Sequence, residues 1–134
     1  IADKFDNGAN TRTVAADSIP EGWMALDIGH ETIENYKNEL KDAKTVFWAG
    51  PLGVFEMENF SHGTREIGEF LGNLNAVKIA GGGDTGAAIN TFNLADKMTH
   101  VSTGGGASLE FIEKEGRLPA LVALERAYRK AKEE

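Results

Sequence analysis

Three observations predict an α/β fold built on a parallel sheet with helices on both faces, a Rossmann-like three-layer arrangement. Short apolar runs rich in β-branched residues alternate along the chain with segments of helical periodicity. Those runs are continuously apolar rather than alternating, as expected of strands covered from both sides. Two of them end in glycine triplets, Gly81-Gly82-Gly83 and Gly104-Gly105-Gly106, that open directly into helix-like stretches.

Taken in order, residues 3–22 are dominated by turn formers such as Asp6-Asn7-Gly8 and Pro20-Glu21-Gly22, with a short strand predicted at Thr13–Ala16. Trp23–Ile28 reads as a buried strand ending at Gly29. Residues 30–43 follow helical spacing, with Ile33, Tyr36 and Leu40 along one face. Thr45–Trp48 is a further apolar strand, stopped by Gly50-Pro51-Leu52-Gly53. Residues 62–74 carry Ile67, Phe70, Leu71 and Leu74 at the spacing of an amphipathic helix. Then come a strand at 76–80, a helix from about 83 to 93, a strand at 99–102 and a helix from about 105 to 114. A last helix, 119–132, is expected to turn Leu121, Leu124 and Tyr128 inward. Its basic residues Arg126, Arg129, Lys130 and Lys132 suit the negative end of a helix dipole and need no functional reading. The Gly50-Pro51 turn, both glycine triplets and the Leu26–Gly29 end are all expected at C-terminal strand ends, where ligands of parallel sheets collect.

With 134 residues and 41% apolar content, the chain has material for one modest core. No apolar run is long enough to span a membrane, and no charged-then-apolar leader is present. The absence of cysteine excludes a disulfide scaffold and fits a reducing cytosol, so a cytoplasmic location is expected. A net charge of −7 without a basic stripe argues against nucleic acid as a partner. Lys and Arg number only 14, and none lies within either glycine motif. Glycine turns that open helices can hold a phosphate on their N–H groups, but a site that moved a phosphoryl group would also need fixed cations, which a metal and another polypeptide segment are both expected to supply. The chain also opens at Ile1-Ala2 as if in mid-strand. That reads as the C-terminal piece of something longer, a processed terminus being the alternative.

A strand running into glycines and then a helix exposes backbone N–H groups at the positive end of a helix dipole, a setting for an anion. Two such devices on neighbouring strands predict a polyphosphate, such as that of a nucleotide, held between them. Gly81 to Gly86 formally matches the G-x-G-x-x-G fingerprint, which alone also arises from tight helix–strand packing. Asp84 separates the readings. A carboxylate in a phosphate cradle repels the ligand unless a divalent cation lies between them, which favours a Mg²⁺-nucleotide. Asp84 fits equally as N-cap of the next helix, and the two roles are compatible. Thr85 either contacts a phosphate oxygen or begins that helix. Three consecutive glycines at 104–106 cost backbone entropy without packing, which makes sense where amides must approach charge on a group in transit. Glu56 suits ribose hydroxyls or is a solvated surface acid. His30, His62 and His100 show no spacing for a metal site or a nucleophile–base pair, and no P-loop motif occurs.

Together the motifs resemble phosphoglycerate kinase, in the C-terminal part of its nucleotide-binding domain. The matching stretches are Ala2-Asp3-Lys4-Phe5, Gly22 to Gly29, Gly50-Pro51-Leu52-Gly53-Val54-Phe55-Glu56, Gly63-Thr64, Gly81 to Thr85, Ser102 to Glu110 and Leu118-Pro119, in family order. The resemblance implies reversible phosphoryl transfer between 1,3-bisphosphoglycerate and ADP, giving 3-phosphoglycerate and ATP with Mg²⁺. It implies that Asp84 is a metal ligand and that Gly81, Gly82, Gly83 and Thr85 line the nucleotide phosphates. Glu56 would then hold the ribose, Ala25 and Leu26 would flank the adenine, and Gly104, Gly105 and Gly106 would serve the transferring phosphoryl group.

Some positions depart from the family pattern. Ala49 stands where the family usually has an asparagine reaching the triphosphate, Ala25 and Ala120 replace usual glycines, and His30 replaces a usual proline. On this resemblance residues 1–134 form a partial domain. The substrate-binding lobe and the first part of the nucleotide lobe are the remainder of the same enzyme, and this piece alone is expected to be inactive. Two other classes stay open: a noncatalytic nucleotide-binding module or degenerate homologue, and half of a NAD-dependent dehydrogenase resting on the glycine fingerprint alone.

Overall fold

Strands β1 (Thr45–Ala49), β2 (Val77–Gly81) and β3 (His100–Ser102) form one parallel sheet in the order β1-β2-β3. In the computed structural model, which describes residues 1–133, Trp48 of β1 stands opposite Ala80 of β2, and Ala80 opposite Val101 of β3. The helices are α1 (His30–Leu40), α2 (His62–Asn73), α3 (Gly83–Thr91), α4 (Gly106–Glu113) and α5 (Pro119–Glu133). Successive parallel crossovers of one hand put the connecting helices α2 and α3 on the same side of the sheet.

The main core lies on that side. Trp48 and Ala80 meet Ile33 of α1, Ile67 and Leu71 of α2, Ile89 of α3 and Leu94 beyond it. Gly68 lets α2 come close, since a Cβ there would sit 2.5 Å from Leu94 Cδ1 and 2.9 Å from Trp48 Cη2. The opposite side of the sheet carries the alternate residues. Phe47 and Ile79 are half-buried there, and Val77 is exposed.

Four expectations fail. Thr13–Ala16 forms no strand. Trp23–Ile28 forms none either, joining Ala2 only through an isolated antiparallel bridge at Met24, while Ala2 bridges Thr11 as well. The chain there is held by other means: Leu26 packs with Ala2 and Phe60 in a second small core, and Arg12 lies 3.8 Å over the Trp23 ring. Asp27 also takes the Ile28 N–H with its own carboxylate at 2.8 Å, which removes a donor from any ladder. Tyr36 does not share the buried face of Ile33, and Leu121, Leu124 and Tyr128 of α5 are exposed rather than inward. No helix among the described residues is long and apolar enough to cross a membrane.

Candidate functional site

Both glycine triplets turn the chain at a middle glycine of positive φ. Gly82 ends β2 and N-caps α3 at φ 112° and ψ 150°, while Gly105 N-caps α4 at φ 54° and ψ −136°. Side chains are excluded from both conformations by clash with the backbone, so glycine is required. Neither helix has a side-chain cap; the first N–H groups of α3 and that of Gly106 in α4 are left for a ligand, while Ala107 and Ser108 of α4 donate to the Gly104 and Gly105 carbonyls, both at 3.1 Å. A Cβ on Gly83, Gly105 or Gly106 would meet nothing within 4 Å, so bare backbone faces open space.

The two bends meet at one cavity of about 210 Å³, lined by Ala49, Gly50, Gly81, Gly82, Gly83, Asp84, Thr85, Gly105, Gly106 and Leu109. Asp84 is exposed, and because Gly82 occupies the cap its carboxylate is not spent on the helix. The N-cap alternative for Asp84 is thereby excluded. It is the only charged residue in the lining, and no basic residue joins it among the described residues. Lys78, nearest in sequence to the first triplet, points elsewhere. Its Nζ donates to the Gly72 and Leu74 carbonyls at 3.3 and 3.0 Å, closing the C-terminal end of α2.

Thr85 is buried and acts as a clasp. Its hydroxyl donates to the Gly81 carbonyl at 2.9 Å and accepts the Gly50 N–H at 2.7 Å. The donor is therefore engaged within the protein, tying the end of β2 to the turn after β1. Gly104 is likewise explained locally. Its N–H donates to Ser102 Oγ at 3.2 Å, Ser102 and Ser108 share a 2.7 Å hydrogen bond, and a Cβ on Gly104 would lie 2.7 Å from Ser108 Oγ. Gly104 is absent from the cavity lining, which takes only Gly105 and Gly106 from this triplet.

The remaining candidates lie apart from the cavity. Leu26 is buried, and its carbonyl accepts the Val54 N–H at 2.8 Å, so it adjoins the loop that carries exposed Glu56. Ala25 opens instead onto a larger cleft of about 650 Å³, beside Arg12, Asp27, His30 and His62. Thr64, buried in α2 and noted in sequence only within the Gly63-Thr64 match, accepts both the Leu52 and Gly53 N–H groups with its hydroxyl, at 3.0 and 3.3 Å. Ligand atoms of His30, Glu34 and Glu66 also gather within 4.8 Å, a grouping their sequence spacing did not reveal. Lys37 already bridges both carboxylates there, at 2.9 and 2.8 Å.

The fold and this cavity define an α/β protein whose parallel strands end in two glycine-capped helix N-termini facing a common space. A sequence profile described as phosphoglycerate kinase matches residues 1–115, so the chain belongs to the phosphoglycerate kinase family. It is 58% identical over 125 residues to phosphoglycerate kinase of Limosilactobacillus reuteri, covering 92% of this chain and 31% of that relative. Against the enzyme of Trichodesmium erythraeum the identity is 52% over 126 residues, again 31% of the relative. The structure of phosphoglycerate kinase from Coxiella burnetii superposes with a TM-score of 0.81 at 42% identity, covering 90% of this chain and 31% of that one. The chain thus spans about a third of the length of the relatives it matches.

Proposed function

We propose that this chain is the C-terminal portion of the nucleotide-binding domain of a cytoplasmic phosphoglycerate kinase. The whole enzyme moves a phosphoryl group between 1,3-bisphosphoglycerate and ADP, with Mg²⁺. The observation that carries the reading is the convergence of Gly82–Asp84 and Gly105–Gly106 on one cavity. Backbone N–H groups at the start of α3 bind the nucleotide phosphates, and those at the start of α4 stabilise charge on the phosphoryl group in transit. The uncapped helix ends, the open space in front of Gly83 and Gly106 and the free carboxylate of Asp84 fit a magnesium–polyphosphate ligand. When bound, Mg²⁺ neutralises phosphate charge; Asp84 is the residue that would hold it.

Glu56 and the loop before it receive the ribose and adenine, next to Leu26. Thr85 contributes by fixing Gly50 against Gly81, which sets the shape of the cavity. The acidic substrate and the missing cations are supplied by the remainder of the enzyme, so this piece alone turns over no substrate. Calorimetry tests the reading. Mg-ADP is expected to bind, and binding is expected to weaken when EDTA removes the metal or in Asp84→Asn. Metal-independent binding, or none, would overturn it. Binding without turnover by the complete enzyme would instead favour a noncatalytic module.

A further inference from the structure

Asp27 has no role in the reading above, yet it sits at an unusually crowded junction. Its Oδ2 accepts the Gly63 N–H at 3.0 Å, in the first turn of α2, and its Oδ1 accepts the Ile28 N–H at 2.8 Å. A Cβ on Gly53 would fall 2.2 Å from Asp27 Oδ1, and one on Gly63 2.5 Å from the same atom. The carboxylate is therefore wedged between two glycine backbones, one in the loop after β1 and one in α2. One residue further into α2, Thr64 accepts the Leu52 and Gly53 N–H groups. Next to Asp27, the Leu26 carbonyl takes the Val54 N–H at 2.8 Å. The Thr64 and Leu26 bonds end on residues 52–54, just before Glu56, and Asp27 joins them by filling the space against Gly53 while it holds the Gly63 N–H beside Thr64; none of the five residues 26, 27, 53, 63 and 64 lines the glycine cavity.

We infer that Asp27 is a positioning residue which, together with Thr64, clamps the 52–56 loop so that the nucleoside end of the ligand is held independently of its phosphates. The inference rests on the nucleotide reading of the cavity. Two separate clasps result: Thr85 sets the phosphate end through Gly50 and Gly81, while Asp27 and Thr64 set the nucleoside end through Leu52, Gly53 and Gly63. Burial raises the Asp27 carboxyl above its ordinary pKa, in keeping with a group enclosed between backbones rather than standing in water. An asparagine keeps the shape but places an amide where one of the two N–H donors needs an acceptor.

The test compares Mg-ADP with Mg-pyrophosphate, a probe that has the phosphates and lacks the nucleoside. In the full-length protein, Asp27→Asn is expected to lose about tenfold in Mg-ADP affinity, the effect of one hydrogen bond to a charged group, with Mg-pyrophosphate affinity unchanged. Thr64→Val is expected to show the same selective loss and Thr64→Ser none, which carries the test if Asp27→Asn does not fold by circular dichroism. An equal loss for both probes, or unaltered Mg-ADP binding in folded Asp27→Asn and Thr64→Val, overturns the clamp alone. So does wild-type protein that binds pyrophosphate as tightly as ADP. Wild-type protein that binds neither probe overturns the nucleotide reading together with the clamp.

Discussion

The Gly50 N–H and the Thr85 hydroxyl, thirty-five positions apart in the chain, meet at 2.7 Å and lock the turn after β1 against the start of α3. Because the same hydroxyl donates to Gly81, one side chain joins two strand ends at the mouth of the cavity.

Removing that hydroxyl strands two partly buried backbone groups. Thr85→Val is expected to destabilise the fold by about 1–3 kcal/mol for each group left unpaired, whereas Thr85→Ser keeps both bonds. Urea denaturation of the three proteins measures the difference. A valine variant with wild-type stability would mean that water replaces the clasp.

Neighbouring glycines of the second triplet should separate folding from binding. Gly105→Ala forces a side chain into a glycine-only conformation and is expected to cost about 1–3 kcal/mol. Gly106→Ala meets open space inside the protein, so stability should stay within about 0.5 kcal/mol of wild type. Its methyl nevertheless enters the cavity, and Mg-ADP affinity should fall roughly tenfold, as for one lost charge-assisted hydrogen bond. Thermal melts paired with calorimetry distinguish the two variants.

Ala49 lines the cavity without a polar group. Ala49→Asn is expected to strengthen Mg-ADP binding by about 1 kcal/mol, roughly fivefold, through an added amide contact to phosphate. Unchanged affinity on titration would show that the side chain at this position does not reach the ligand.

Burial pushes the Asp27 carboxyl up, against the opposing pull of hydrogen bonds from Gly63 and Ile28. A folded state that holds its proton more tightly than the unfolded chain gains stability at acid pH and loses it as pH rises through the raised value. Relative to Asp27→Asn, wild-type stability should therefore decline as pH climbs from about 4, the ordinary carboxyl value. Denaturation of both proteins across that range gives the slope, and a difference that grows with pH would refute the assignment.

The three sheet strands were legible because each apolar run lies between segments of helical period, and the bends because few residues other than glycine accept such dihedrals. Trp23–Ile28 was misread for a physical reason. A continuous apolar run looks the same whether it enters a sheet or packs against a loop, and here Leu26 packs on Ala2 and Phe60. The α5 face was misread in the opposite sense, since its helical period is correct but Leu124 and Tyr128 find no cover among the described residues. Within the site, the glycines announced themselves while the bonds holding them did not. Thr85 was singled out as a phosphate contact or helix start and Thr64 only as part of a family match, and the fold alone shows that their hydroxyls bond distant backbone. Gly104 was legible as a required glycine, and the fold adds a local reason for it in the close approach of Ser108 and the Ser102–Ser108 hydrogen bond.

Lys78 is turned away to close α2, and among the described residues Asp84 is the sole formal charge along the cavity wall. Under the proposed function this guards against waste. A nucleoside triphosphate resting there meets backbone N–H groups and the metal that Asp84 would hold but no cationic side chain, so the electrostatics needed to draw away its terminal phosphoryl group are incomplete. The energy of the terminal anhydride is spent only once arriving partners complete the electrostatics.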